Sequence, residues 1–155
     1  MTEAGPSGCF ACGNTAAADL PVRERIFQTP HWRLAHAFNT SLPGWLVLLP
    51  TEHVTALSDL DPDAAAALGP LLRDVSAALH EVVGCLKTYV ILLAEAEGFS
   101  HVHFHVIPRM PGLSDELRGP RIFALLGLPP DQCVSEAEMD RIGGAVRERL
   151  VRAAR

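Results

Sequence analysis

No run of Lys or Arg occurs in the 155 residues, and the formal net charge is -5. A protein that coats extended nucleic acid needs clustered cations to neutralise phosphates, so that class of partner is excluded. One bound phosphate group is still allowed, because the charge around a site can oppose the net charge. No apolar stretch reaches the ~18 uninterrupted residues of a membrane span; charge, Pro or His breaks each one. The N-terminus has no basic segment followed by an apolar one, so no secretory leader is read and the cytoplasm is the expected compartment. Cysteine is scarce: Cys9 and Cys12 form one close pair, while Cys85 and Cys133 stand alone. That is not a disulfide framework. Internal repeats and low-complexity segments are also missing.

What remains is the composition of a soluble globular chain, 48% hydrophobic and 20% charged. Its length suits about one domain, which buries roughly 68–70% of its unfolded surface without staples.

Residues 1–21 are rich in Gly, Ala, Ser, Pro and Asn and read as an irregular arm carrying Cys9-Phe10-Ala11-Cys12-Gly13. Arg25 to Phe27 and Trp32 to Phe38 alternate apolar and polar residues around a Thr29-Pro30 turn, which predicts two short strands. Trp45 to Leu49 is a continuous apolar run stopped by Pro50 and predicts a buried strand. Asp61-Pro62 predicts a helix start, because Asp caps free N–H groups and Pro fits the first turn. Leu68, Leu71, Leu72, Val75, Leu79, Val82 and Val83 continue it at helical spacing to Gly84. Pro70 inside that pattern should kink or divide the helix. Thr88 to Leu93 and His101 to Ile107 read as further strands, the segment 109–131 as irregular apart from 122–126, and Ser135 as the cap of a last helix ending near 152. Short connections between strands favour antiparallel pairing. The predicted fold class is α+β, a helix packed on an antiparallel sheet.

The richest stretch chemically is His101-Val102-His103-Phe104-His105-Val106-Ile107-Pro108. On a strand, alternate side chains share a face, so three imidazoles line one side and three apolar residues the other. The apolar side can pack on the helix of 62–83. The imidazole side must meet water, metal or ligand, because unpartnered rings are costly to bury. A lone His is usually a satisfied structural residue, the expectation for His31, His36 and His80. For the row, two readings stand: a metal held by His-x-His, or phosphoryl chemistry with a neutral imidazole as nucleophile.

The row resembles the histidine triad (HIT) motif, His-φ-His-φ-His-φ-φ with φ apolar, and matches it at every position. Leu46-Val47-Leu48-Leu49-Pro50-Thr51-Glu52-His53 resembles the strand and Pro-x-x-His that precede the helix in that family, and Pro108-Arg109 its dinucleoside polyphosphate hydrolase branch. The resemblance implies a five-stranded antiparallel sheet with a main helix and a C-terminal helix, and a homodimer. It divides the chain into an arm at 1–21, a HIT-like domain at 22–110 and a C-terminal extension at 111–155. It implies a nucleotide hydrolase or nucleotidyltransferase acting at an α-phosphate. His103 would be the nucleophile, His105 would bind phosphate oxygens, and His101 would support the site. Three departures stand out. Gly44-Trp45 replaces a Gly-His pair. Ala37 replaces a ribose-binding Asp, with Asn39 as candidate substitute. Glu97 stands near an expected Gln, where an ionised carboxylate would repel phosphate. Gly98 and Ser100 are candidate phosphate donors.

Cys9-x-x-Cys12-Gly13 is half of a tetrahedral zinc site. A redox reading needs a helix start after a strand, and neither is read from the sequence. Some bacterial relatives and the related galactose-1-phosphate uridylyltransferases complete such a site with the His after the third strand and the first triad His. The matching set here is Cys9, Cys12, His53 and His101, a closed structural zinc. The alternatives are a zinc hydrolase using His101, His103 and His105 as a catalytic metal site, and a nucleotide-binding module without turnover. A small nucleotide is the expected partner, with neither nucleic acid nor membrane.

Overall fold

The computed structural model of the chain describes Pro6 and residues 8–155; residues 1–5 and 7 of the expected arm lie outside the described residues. Five strands form one sheet: β1 (Phe27–Gln28), β2 (Trp32–His36), β3 (Leu46–Pro50), β4 (Lys87–Leu92) and β5 (Phe104–Arg109). Their order is β1-β2-β3-β5-β4, and every neighbouring pair is antiparallel. Helix α2 (Pro62–Val83) joins β3 to β4, and α3 (Glu136–Ala153) closes the chain. The five-stranded α+β architecture is thus the one expected.

One face of the sheet is covered by both long helices. Leu34, Leu46, Leu48, Phe104 and Val106 meet Val75 and Leu79 of α2 and Ile142, Val146 and Leu150 of α3 in one buried cluster. Val102 joins that cluster, so the apolar residues between the histidines do pack toward the helices. Full burial of each such side chain contributes roughly 1.5–3 kcal/mol. At the start of α2, Asp61 accepts from the Asp63 and Ala64 N–H groups with Pro62 at the first position. At its end, Gly84 takes the left-handed conformation, φ 71 and ψ 31.

Three expectations are corrected. The Cys-x-x-Cys segment is not irregular: a helix, α1, spans Phe10–Ala16 with Cys9 at its N-cap. Its seven residues are too few to hold a helix by propensity. Side chains hold it instead: Arg33 of β2 donates from Nη2 to the Ala11 carbonyl at 3.2 Å and from Nε to Thr15 Oγ1 at 3.1 Å. Pro70 does not divide α2, which runs unbroken through it. Pro70 is exposed, so water can serve the carbonyl its missing N–H leaves free. The last strand begins at Phe104, so His101 and His103 precede it. The β3–β5 ladder ends at Leu48↔Phe104, because Pro50 farther along has no N–H and its carbonyl is taken by the His101 ring.

The opposite face is apolar in part. Residues 119–125 lay Ile122 and Phe123 against Trp45, Ala37 and Ile107. No helix among the described residues is long and apolar enough to cross a membrane.

Candidate active site and metal cluster

A cleft of about 380 Å³ opens on this second face, lined by Val47 and Leu49 of β3 and by all three triad histidines. Strand alternation puts Val47, Leu49 and His105 there, because their neighbours Leu46, Leu48 and Phe104 point into the helical core, and the extended segment before β5 carries His101 and His103 to the same face. The cleft's mouth carries three exposed rings. Phe10, Phe38 and Phe99 stand with centroids 5.6 to 6.2 Å apart, each from a separate segment.

Each triad ring has one nitrogen committed, and the partner fixes the tautomer. The Nε2 of buried His101 lies 2.9 Å from the Pro50 carbonyl. A carbonyl only accepts, so Nε2 carries the proton and Nδ1 offers its lone pair. Likewise the Nδ1–H of half-buried His103 donates to the His101 carbonyl at 2.8 Å, which leaves Nε2 with the lone pair. At buried His105 the order reverses. The Trp45 indole N–H donates to Nδ1 at 3.0 Å, so the ring proton sits on Nε2. Burial, helped by the charge of His103, lowers the basicity of the His105 ring to about 4. His105 is therefore a neutral donor near neutral pH.

The lone pair of His101 Nδ1 faces two thiols, 3.6 Å from Cys9 Sγ and 3.5 Å from Cys12 Sγ. Cys12 Sγ lies 3.3 Å from His53 Nδ1. All four ligand atoms fall within 4.8 Å of one another. Bonds of ~2.3 Å to sulfur and ~2.05 Å to nitrogen at tetrahedral angles put S and N about 3.5 Å apart. The three contacts match that edge, and two sulfurs with two imidazoles is the donor set of a closed zinc site. The four residues thus fit a tetrahedral metal ion. The His101–Pro50 hydrogen bond supplies the outer support that orients a ligating imidazole. Burial above all, then Cys9, pushes the Cys12 thiol up to about 11, while the nearby Arg33 guanidinium pulls the other way. A metal ion would have to displace that proton. A helix start does follow Cys9, as a redox pair would require. However, two imidazoles beside the thiols make a ligand set rather than a dithiol, and no strand precedes α1 among the described residues.

His103 and His105 belong to no such ligand group among the described residues. Their rings stand 5.0 Å apart at 78°, and their nitrogens serve different partners. That arrangement is unlike a metal held by the whole row.

Asn39 and Gly98 line the cleft, whereas Ser100 is exposed and outside its lining. Asn39 uses its backbone carbonyl to accept from Gly127 and Leu128. Ala37 is buried in the cleft wall, so no acidic group stands at that position. Glu95, not Glu97, contributes to the lining. His36 and His80 are bonded to backbone groups, as structural histidines are. The sequence reading missed Arg33 and Phe123, and noted Trp45 only as a departure from the family pattern. Arg33 is a guanidinium only 2% exposed, which also donates to the Glu24 carbonyl at 2.6 Å. An Arg on a short apolar strand was a signal, because a buried charge needs partners.

The comparisons with known proteins agree with this geometry. The family model described as the HIT domain matches residues 22–112. A HIT-like protein from Bartonella henselae superposes with TM-score 0.71 at 17% identity, over 95% of this chain and 99% of that one. A zinc-bound histidine triad family protein from Mycobacterium smegmatis gives TM-score 0.67 at 20% identity, over 94% and 96%. A histidine triad protein from Bradyrhizobium japonicum gives 0.66 at 23%, over 81% and 88%. At such identities the likeness is one of fold. No curated protein matches the sequence.

Proposed function

The chain belongs to the HIT family, and from that premise we propose that it is a nucleotide hydrolase or nucleotidyltransferase acting at the α-phosphate of a small nucleotide. The observation that carries this reading is the single tautomer of His103. Its Nδ1–H is held by the His101 carbonyl, and its Nε2 lone pair is left in the cleft. In the first step Nε2 forms a bond to phosphorus as the bond to the leaving group breaks. Attack leaves the His103 ring cationic, and the carbonyl already bonded to Nδ1–H stabilises that charge. His105 Nε2–H donates to a phosphate oxygen. In the second step water or another acceptor attacks phosphorus, and the electron pair of the P–N bond returns to His103.

Cys9, Cys12, His53 and His101 would hold a structural zinc, whose role is to tie α1 to the sheet and fix His101. Asn39, Gly98 and the rings at the mouth are the groups placed to meet the rest of the nucleotide. A second copy of the chain would pair along β4. That strand is a sheet edge bearing exposed Val90 between exposed Leu86 and Leu93, and an apolar edge left open invites pairing. The cytoplasm, where thiols stay reduced, is the compartment we assign.

The test is trapping. The protein is incubated with a dinucleoside polyphosphate and quenched in base, and its peptides are mapped. The expected result is an acid-labile nucleotidyl group on His103. An adduct on another residue, or none with any nucleotide, would overturn the reading.

A further inference from the structure

Trp45 stands where the family resemblance leads one to expect a histidine, and it is completely buried. Its indole N–H can only donate, and it donates to His105 Nδ1. Its ring also meets the His105 ring edge to face, at 5.7 Å and 86°. Phe123 closes the far side, 5.1 Å from the His105 ring and 5.4 Å from the indole. The strands on either side place Val47 and Ile91 opposite His105. None of these four residues carries a charge; the ionisable neighbour is His103, on the same segment. A second proton on His105 would set Nδ1–H against the indole N–H, two donors facing each other with no acceptor between them. No carboxylate packs against the ring to offset the cation: Glu24 and Glu95 line the same cleft, and neither acts on His105 as His103 does.

Resting on the proposed nucleotidyl-histidine reading, we propose that Trp45 locks His105 as a neutral Nε2–H donor, which restricts this site to substrates whose leaving group departs without taking a proton from the enzyme. The chemical class is a phosphoanhydride, such as a nucleoside polyphosphate. When the P–O bond to a leaving phosphate breaks, the electron pair stays on an oxygen that is stable as an anion. When the P–N bond of a phosphoramidate breaks, the pair goes to nitrogen, and an amine leaves only if a proton is supplied. No triad ring has one to give. His105 holds its single proton as a hydrogen-bond donor, His103 uses its proton on the His101 carbonyl, and His101 uses its own on the Pro50 carbonyl. Trp45 is thus a positioning residue acting through His105.

The experiment has two readouts. Turnover of diadenosine tetraphosphate and of adenosine 5′-phosphoramidate is compared from pH 5 to 9, and the His105 ring nitrogens are followed by 15N NMR. In the wild-type protein, kcat for the anhydride should exceed that for the amidate by about a hundredfold or more, the usual value of a general acid. The 15N shifts should report one neutral tautomer protonated at Nε2 down to about pH 5. Trp45→Phe keeps the ring and removes the donor. In that variant a second proton on Nδ1 no longer faces the indole N–H, so His105 should protonate at a higher pH than in the wild-type protein, and the anhydride-to-amidate ratio should fall by about tenfold or more, mainly through faster amidate cleavage at acid pH. Trp45→His, whose ring can accept as well as donate, frees His105 Nδ1 to carry a proton and should lower the ratio as Trp45→Phe does. Equal wild-type rates on the two substrates, or a proton found on Nδ1, would overturn the proposal, and both are read without any variant. Loss of the His103 adduct with both substrates would sink the nucleotidyl reading and the substrate class with it. The tautomer measurement would then still decide whether Trp45 sets the proton.

Discussion

At one end of the triad His101 is fixed by polar atoms, two thiols and an imidazole around Nδ1 and a carbonyl at Nε2; at the other end His105 is fixed by an indole and a phenyl ring. They lie four positions apart, yet they solve the same problem by different means. The problem is to hold an imidazole in one orientation and one protonation state. The first end would do so with a metal ion held by residues 9, 12, 53 and 101, which fit one. The aromatic end does so by excluding water and offering a single donor. His103 stands between and borrows from the first end, through the His101 carbonyl. A ligand cage gives strength that can be removed with the ion, whereas an aromatic box gives a permanently lowered basicity.

The largest effect should come from the residue that belongs to neither end. His103→Ala should reduce turnover by about a thousandfold or more while leaving metal content and melting temperature unchanged. Parallel turnover, metal analysis and calorimetry check this; loss of metal in that variant would mean the two ends are not separate. Next in size is removal of the cage. Cys9→Ser with Cys12→Ser should abolish binding of one zinc per chain and lower stability by about 3 kcal/mol or more, roughly 10 °C in Tm. A double variant that keeps its zinc would move the metal to other ligands.

The aromatic end predicts a smaller effect with a definite sign. Burial lowers the folded-state basicity of His105 to about 4, below the unfolded value. The unfolded chain therefore takes up the proton first, and stability present above pH ~6.5 is lost as pH falls toward ~4. Between pH 7 and pH 5 the contribution is about 2 kcal/mol. It is measured as the difference in urea unfolding between the wild-type protein and His105→Asn. An identical pH dependence in the two would remove His105 as the cause. The smallest change is Phe123→Ala. The ring is only half-buried, so the cost should be about 1–2 kcal/mol, while the basicity of His105 rises toward that of a free imidazole. Thermal unfolding and a 15N titration read the two quantities, and an unmoved titration would mean that the indole alone sets the environment.

The two ends also differed in how legible they were. The Cys9-x-x-Cys12 pair declares itself by type and spacing, and the family resemblance added His53 and His101 to it; the alternation of the triad was readable from the sequence alone. The box around His105 was not. Trp45 stood out only as a departure from the family's Gly-His pair, with nothing to show that its N–H meets His105, and Phe123 belongs to a Pro/Gly-rich segment whose path no periodicity encodes. The fold followed the same division. The cap at Asp61, the stop at Gly84 and the antiparallel pairing are local signals and were readable. Helix α1 was not, because its composition favours a loop and it is held by Arg33 from another element. The start of the last strand at Phe104 was likewise hidden, since it depends on Pro50 of the partner strand.

One consequence concerns His101, whose ring faces the thiols and whose main-chain oxygen holds His103. A chelator added to this protein does not interrogate an accessory feature alone. With a zinc bound there as proposed, stripping it would relax the peptide unit that holds His103, so lost turnover after such treatment would be no sign that the ion takes part in bond making. Kinetic work on this chain therefore has to count bound ions alongside rates, or it will credit the scaffold's failure to the chemistry.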